Sequence, residues 1–199
     1  MSQFLREYPH IQFTLNEKNS LEVLQALHAG AIDVGVISQD PYLSQKEELT
    51  EKLKVHVEIF DQIDIIAAQE HPLVKMRASL KVTGKSLLPI HMSCQPMILS
   101  QPGSSLREVI DRELRRASLR PHVIMNLHCE QSILEMVSKN IGLGIVSRLA
   151  LGNTSSVEVL DIEGLSFKRS LQICTLSDRE LSPASTKFVE FLSQWVKRQ

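Results

Sequence analysis

The chain has 199 residues, of which 43% are hydrophobic and 23% charged, with a formal net charge of −1. That length allows one large domain or two small lobes with a sizeable core. The even charge balance excludes a broad basic surface for nucleic acid, since basic residues gather only in local pairs such as Arg115-Arg116 and Lys197-Arg198.

No apolar run approaches the roughly 18 residues of a membrane span. The first residues have neither the basic leader nor the long apolar stretch of a signal peptide. Cys94, Cys129 and Cys174 are scattered and odd in number, which argues against a disulfide framework and for a reducing, cytoplasmic setting.

Taken in order, residues 2–7 read as an amphipathic helix closed by Tyr8-Pro9. Alternation over 11–15 predicts a strand. Asn19-x-x-Glu22 has capping-box spacing and opens a helix with Leu21, Leu24 and Leu27 inward, stopped near Gly30. Residues 32–37 read as a short buried strand, and 39–48 as a polar loop. Residues 53–60 and 64–68 predict two strands separated by a turn at Asp61-Gln62. Residues 69–72 are turn-like, 77–86 polar and irregular, and 97–99 a strand.

The stretch 98–107 is the most informative. Pro102-Gly103 is a turn dipeptide, Ser105-x-x-Glu108 has capping-box spacing, and Leu106, Val109, Ile110 and Leu114 recur at helical intervals to about Ser118. A strand–turn–helix junction of this kind presents hydroxyls and free backbone N–H groups at the positive end of a helix, which suits a small anion. A capped surface helix without a ligand is the plainer reading. A strand follows over 123–127. Ser132-x-x-Glu135 predicts a third capped helix, and 142–146 a strand whose glycines mark close packing. Later strands fall at 157–160 and 171–176. A last helix begins at Ser182-Pro183 and buries Phe188, Phe191, Leu192 and Trp195. Strands and helices alternate, which implies an α/β protein with largely parallel sheets.

Several stretches, in this order, give a resemblance: Phe4-Leu-Arg-Glu-Tyr-Pro-His-Ile11, Leu24-Gln-Ala-Leu-His-Ala-Gly-Ala-Ile-Asp-Val-Gly-Val36, Glu70-His-Pro-Leu73, Gln101-Pro-Gly-Ser-Ser-Leu-Arg107, Ile133-Leu-Glu-Met-Val137 and Asn140-Ile-Gly-Leu-Gly-Ile-Val-Ser147. Together they cover most of the chain, which resembles the effector-binding domain of LysR-type transcriptional regulators. The resemblance implies a two-lobed periplasmic-binding-protein type II fold, with lobe I at 1–95 plus 166–199 and lobe II at 96–165. It also implies a small effector between the lobes and a homodimer or homotetramer. DNA would be reached only through an N-terminal winged helix-turn-helix that this chain lacks, and the family's first strand, with its effector-holding loop, would also precede residue 1.

By the same resemblance, Ser100, Gln101, Gly103, Ser104, Ser105 and Arg107 match the family's effector-facing turn, with Leu106 where a threonine often stands. For Arg107 a solvent-facing position competes with ligand contact. His128, Glu130 and Gln131 belong to a second loop that would approach the effector, against plain exposure for a lone loop histidine. Ser38, with Gln39, ends a lobe I strand that could reach it. Asp33 is read as structural and the cysteines as idle thiols.

No metal-ligand spacing, dinucleotide fingerprint or nucleophile elbow is present, so no metal, cofactor or catalytic residue is expected. The expected function is sensing a small, anionic metabolite in transcription control. The alternative is a solute-binding protein of a transporter with the same fold, and an enzyme is the third class weighed.

Overall fold

The side chains that alternate along the strands decide the layers of this protein. In the computed structural model, which describes residues 2–39, 47–152 and 154–196, the chain divides into two units: 1–60 with 170–199, and 61–169. The units divide at Phe60/Asp61 and Arg169/Ser170, inside two strands.

In unit 1, α1 (Ser2–Glu7) is followed by α2 (Ser20–His28) and β1 (Gly35–Gln39). Both halves of the predicted capping box form. Glu22 N–H donates to Asn19 Oδ1 at 2.9 Å, and Asn19 N–H donates to Glu22 Oε2 at 3.1 Å. Gly30, at φ +70°, supplies the left-handed residue that ends α2. Leu24 and Leu27 pack with Ile37, Cys174 and Leu176. The strand predicted over 11–15 is absent: the segment pairs with no neighbour among the described residues, and Leu15 is exposed. The loop predicted over 39–48 falls, at 40–46, outside the described residues, and α3 (Glu47–Thr50) follows.

β2 (Leu53–Ala68) is one continuous strand where two were predicted, because Asp61 is not at a turn but buried and paired. β2 and β7 (Phe167–Leu176) carry the chain from one unit into the other. Within unit 1, β7 pairs with β1 antiparallel, Gly35 opposite Cys174. The last helix, α8 (Pro183–Val196), starts as predicted, with Ser185 N–H donating to Ser182 Oγ. Phe188 and Phe191 meet the fully buried Phe4 edge-on at 5.2 and 5.1 Å, but Trp195 faces solvent rather than the core.

Unit 2 is a sandwich of helices about a mixed sheet. Its elements are α4 (Pro72–Val82), β3 (Pro96–Ser100), α5 (Ser105–Arg116), β4 (His122–Leu127), α6 (Glu130–Ser138), β5 (Leu143–Ser147), α7 (Arg148–Leu151) and β6 (Val157–Leu160). β3 runs parallel to β4 and β5, while β2 runs antiparallel to β5 and β6. The largely parallel sheet predicted is therefore confined to β4-β3-β5.

Residues alternate between two cores. Met97, Leu99, Leu143 and Ile145 face Leu106, Val109, Ile110 and Leu114 of α5, whereas Ile98, Val146 and Ile66 face Ile133, Leu134 and Val137 of α6. Gly144 is glycine because a Cβ there would lie 2.8 Å from Val137 Cγ2. α4 occupies a stretch predicted to be irregular. Its polar residues form a solvated face, and His71 with Pro72 at the first helical position starts it.

Candidate functional site

The parallel strands β4, β3 and β5 end side by side at Leu127, Ser100 and Ser147. Ligands of open α/β sheets gather outside such carboxyl ends, because the following helices begin there with unsatisfied N–H groups. Here α5, α6 and α7 all begin at that edge of unit 2.

The β3–α5 turn is ordered by its own hydroxyls. Ser104, not the predicted Ser105, is the N-cap, so the predicted box with Glu108 slips by one residue. Arg107 N–H donates to Ser104 Oγ at 3.1 Å, and Ser104 Oγ–H donates to Ser100 Oγ at 3.3 Å. The relay ends at Ser100, whose residue is buried and whose own hydroxyl proton meets no acceptor among the described residues. Gly103, at φ +85°, makes the turn and is exposed. Ser105 is half-buried in the first turn of α5, and half-buried Gln101 donates its N–H to Leu127 O at 3.0 Å, tying the turn to β4.

The Arg107 side chain is not solvent-facing but 12% exposed. Its Nε donates to Asp111 Oδ1 at 2.8 Å, and its Nη1 to Ser100 O at 2.8 Å and Asn126 Oδ1 at 2.7 Å. It braces the ends of β3 and β4 against α5.

On the β4–α6 side, His128 and Gln131 are exposed. The predicted Ser132 box does not form, since α6 starts three residues earlier than that box implies and its N-cap is Cys129, which gives no side-chain cap. Glu130 is half-buried, and its Oε2 accepts Ser147 N–H at 2.6 Å. Beside it is a charge cluster that the sequence reading missed. Ser147 Oγ–H donates to Asp61 Oδ1, and Arg169 Nε to Asp61 Oδ2, both at 2.7 Å, while Arg169 Nη2 lies 3.9 Å from Glu130 Oε1. Asp61 and Arg169 are 108 residues apart, so no local pattern connects them. The strands themselves give no signal either, since β2 also carries Lys54, Glu58 and Asp64, and β7 Lys168.

Ser38 lies in unit 1, buried at the end of β1. Its N–H donates to Ser20 Oγ at 3.0 Å, and its own Oγ has no hydrogen-bond partner among the described residues. The recesses found in each unit, about 270 Å³ beside β2 and β6 and about 480 Å³ beside His28, Lys52 and Arg179, touch none of the predicted effector residues. Among the described residues no helix is long and apolar enough to cross a membrane.

Residues 1–197 match the profile of the LysR substrate binding domain. The chain belongs to that family. The relatives of the LysR domain include the HTH-type transcriptional activator CmpR of Synechocystis sp., 23% identical over 197 residues, which cover 96% of this chain and 59% of CmpR. The HTH-type transcriptional regulator CbbR of Xanthobacter flavus is 23% identical over 198 residues, 98% of this chain and 55% of CbbR. The chain thus spans a little over half the length of these curated relatives.

Among solved structures, the regulatory domain of Synechocystis PCC6803 CcmR in complex with 2-PG superposes with a TM-score of 0.75 at 21% identity, covering 98% of this chain and 88% of that one. The effector binding domain of QuiR in complex with shikimate gives 0.74 at 18% identity, covering 100% and 88%. The fold is therefore that of LysR effector-binding domains, the type II periplasmic-binding-protein fold that the resemblance implied.

Proposed function

We propose that this LysR domain senses a small anionic metabolite for a DNA-binding transcriptional regulator, and that the carboxyl edge of β4-β3-β5 contacts that metabolite. The observation that carries the reading is the relay ending at Ser100, a hydroxyl with a proton to give beside the helix starts of α5 and α6. Ser104 and the loop with His128, Glu130 and Gln131 flank it.

Binding transmits a signal by favouring one conformation over another, typically by about 1–3 kcal/mol of coupling. In this reading the chain works as a homodimer or homotetramer in the cytoplasm, and DNA is held by a winged helix-turn-helix outside this chain. It is a sensor and not an enzyme. The family's relatives are HTH-type regulators, which favours this reading over a transporter's solute-binding protein.

The test is thermal stability against shikimate and 2-PG, with Ser100→Ala alongside. Ser104 is unsuitable because its loss would also uncap α5. A ligand that raises the melting temperature of the wild type should bind Ser100→Ala more weakly by about 1 kcal/mol, roughly five-fold. Equal affinity in a folded variant removes Ser100 from the site.

A further inference from the structure

Arg169 is the last residue of unit 2; its guanidinium is hydrogen-bonded through Nε to Asp61 and, through Nη2, lies within ion-pair distance of Glu130 at 3.9 Å. Nε donates to Asp61 Oδ2 at 2.7 Å; the Asp61 side chain is fully buried and receives Ser147 Oγ–H on its other oxygen. The Arg169 side chain is 11% exposed, yet Nη1 and Nη2 make no hydrogen bond among the described residues. Glu130 Oε1, at 3.9 Å from Nη2, is beyond hydrogen-bond reach. The other arginines of this region are used differently. Arg107 gives Nε to Asp111 and Nη1 to Ser100 O and Asn126, and Arg148 gives Nε and Nη2 to Asp64, both at 2.7 Å.

A guanidinium fork whose Nε is fixed by a buried carboxylate and whose two amino groups make no hydrogen bond is pre-organised for a carboxylate or phosphate, which it can meet with two parallel N–H bonds. Its neighbours Ser147 and Glu130 sit at the end of β5 and the start of α6, on the same edge as Ser100.

We infer that Arg169 is the charged anchor of this site: its Nη groups bind the anionic group of the effector, a carboxylate or phosphate, with Asp61 as the residue that positions it. The inference rests on the reading of that edge as the effector site. Glu130 carries an adverse charge there. Glutamine at 130 keeps an acceptor for Ser147 and relieves that charge.

The probe is inorganic phosphate at constant ionic strength, followed by melting temperature and by the Nε–Hε resonance of Arg169, assigned by its disappearance in Arg169→Gln. Phosphate should stabilise the wild type and shift that resonance. Arg169→Lys, which keeps the charge beside Asp61 but loses the fork, should bind phosphate several-fold more weakly, and Arg169→Gln about ten-fold or more. Glu130→Gln should bind it more tightly.

Arg169→Gln leaves Asp61 buried without its cation and can unfold the protein. The double variant Asp61→Asn/Arg169→Gln removes both charges and should likewise lose phosphate binding in a folded chain. A wild type indifferent to phosphate, an unmoved Arg169 resonance, or Arg169 variants that bind like the wild type would overturn the inference. If Ser100→Ala weakens binding while the Arg169 variants do not, the edge stands as the site and the anchor fails. If the Arg169 variants lose binding while Ser100→Ala does not, the anchor stands and the serine turn is not the site.

Discussion

Arg107 follows a serine turn, where an arginine can equally be a ligand contact or a solvated side chain. The sequence offers no way to choose, because what takes its donors, Asn126 Oδ1 and the Ser100 carbonyl, depends on how β3 and β4 pair. Asp61 was hidden for a related reason: Asp-Gln reads as a turn unless its cation, 108 residues away, is known. His71 is the opposite case, a motif residue whose chemistry becomes plain in the structure. It is buried, and its Nδ1 accepts Leu73 N–H at 3.2 Å at the start of α4. Burial pushes its pKa below the ordinary imidazole value. Protonation both charges a buried ring and removes the acceptor, so the unfolded chain binds the proton more readily. Its stabilising contribution is therefore present above about pH 6.5 and is lost as pH falls towards the depressed folded value. His71→Asn, which caps without titrating, should show a smaller drop in melting temperature than the wild type between about pH 7.5 and about pH 5.5. The drop will not vanish, because burial and the Lys54 charge depress His56 in the same direction.

At the scale of elements, the helices that bear on a core were legible and several of their starts were not. Asn19 and Glu22 form the complete box, whereas Ser132 and Glu135 have the same spacing in the middle of α6 and cap nothing. Spacing alone cannot separate the two, since what decides is where the preceding strand releases the chain. Asn19→Ala should cost about 1 kcal/mol in chemical unfolding, and Ser132→Ala should stay within about 0.5 kcal/mol of the wild type. α4 escaped the sequence reading because its apolar stripe is narrow, with Leu73 its buried residue. The absent strand over 11–15 shows the reverse error: alternation suggests a strand, but a partner must also be present.

At the scale of the whole chain, the ordered set of motifs carried the family and the fold. Unit 2 is one uninterrupted segment, 61–169, and its first and last residues are joined by the 2.7 Å Arg169–Asp61 bond. Both of its cores are complete within the segment. A fragment of residues 61–169 should therefore fold alone, with a cooperative thermal transition by circular dichroism. A fragment lacking sharp unfolding would show that these cores need residues from unit 1.

The parallel pairing of β3 and β4 has a further consequence. Cys94 precedes β3 and Cys129 follows β4, so the register from Pro96–His122 to Ser100–Leu127 puts them at opposite ends of the strand pair. A run of that length separates them by about 16 Å or more, far beyond the roughly 4–7 Å between Cα atoms that a disulfide spans. Both are exposed, while Cys174 is buried and its thiol is pushed up to about 11. Unit 2 thus carries two addressable thiols that cannot be oxidised to one another, and the third cysteine is shielded by burial and by its raised pKa. Spin labels or fluorophores could be attached to the native residues at 94 and 129, giving a built-in molecular ruler without engineering a single cysteine.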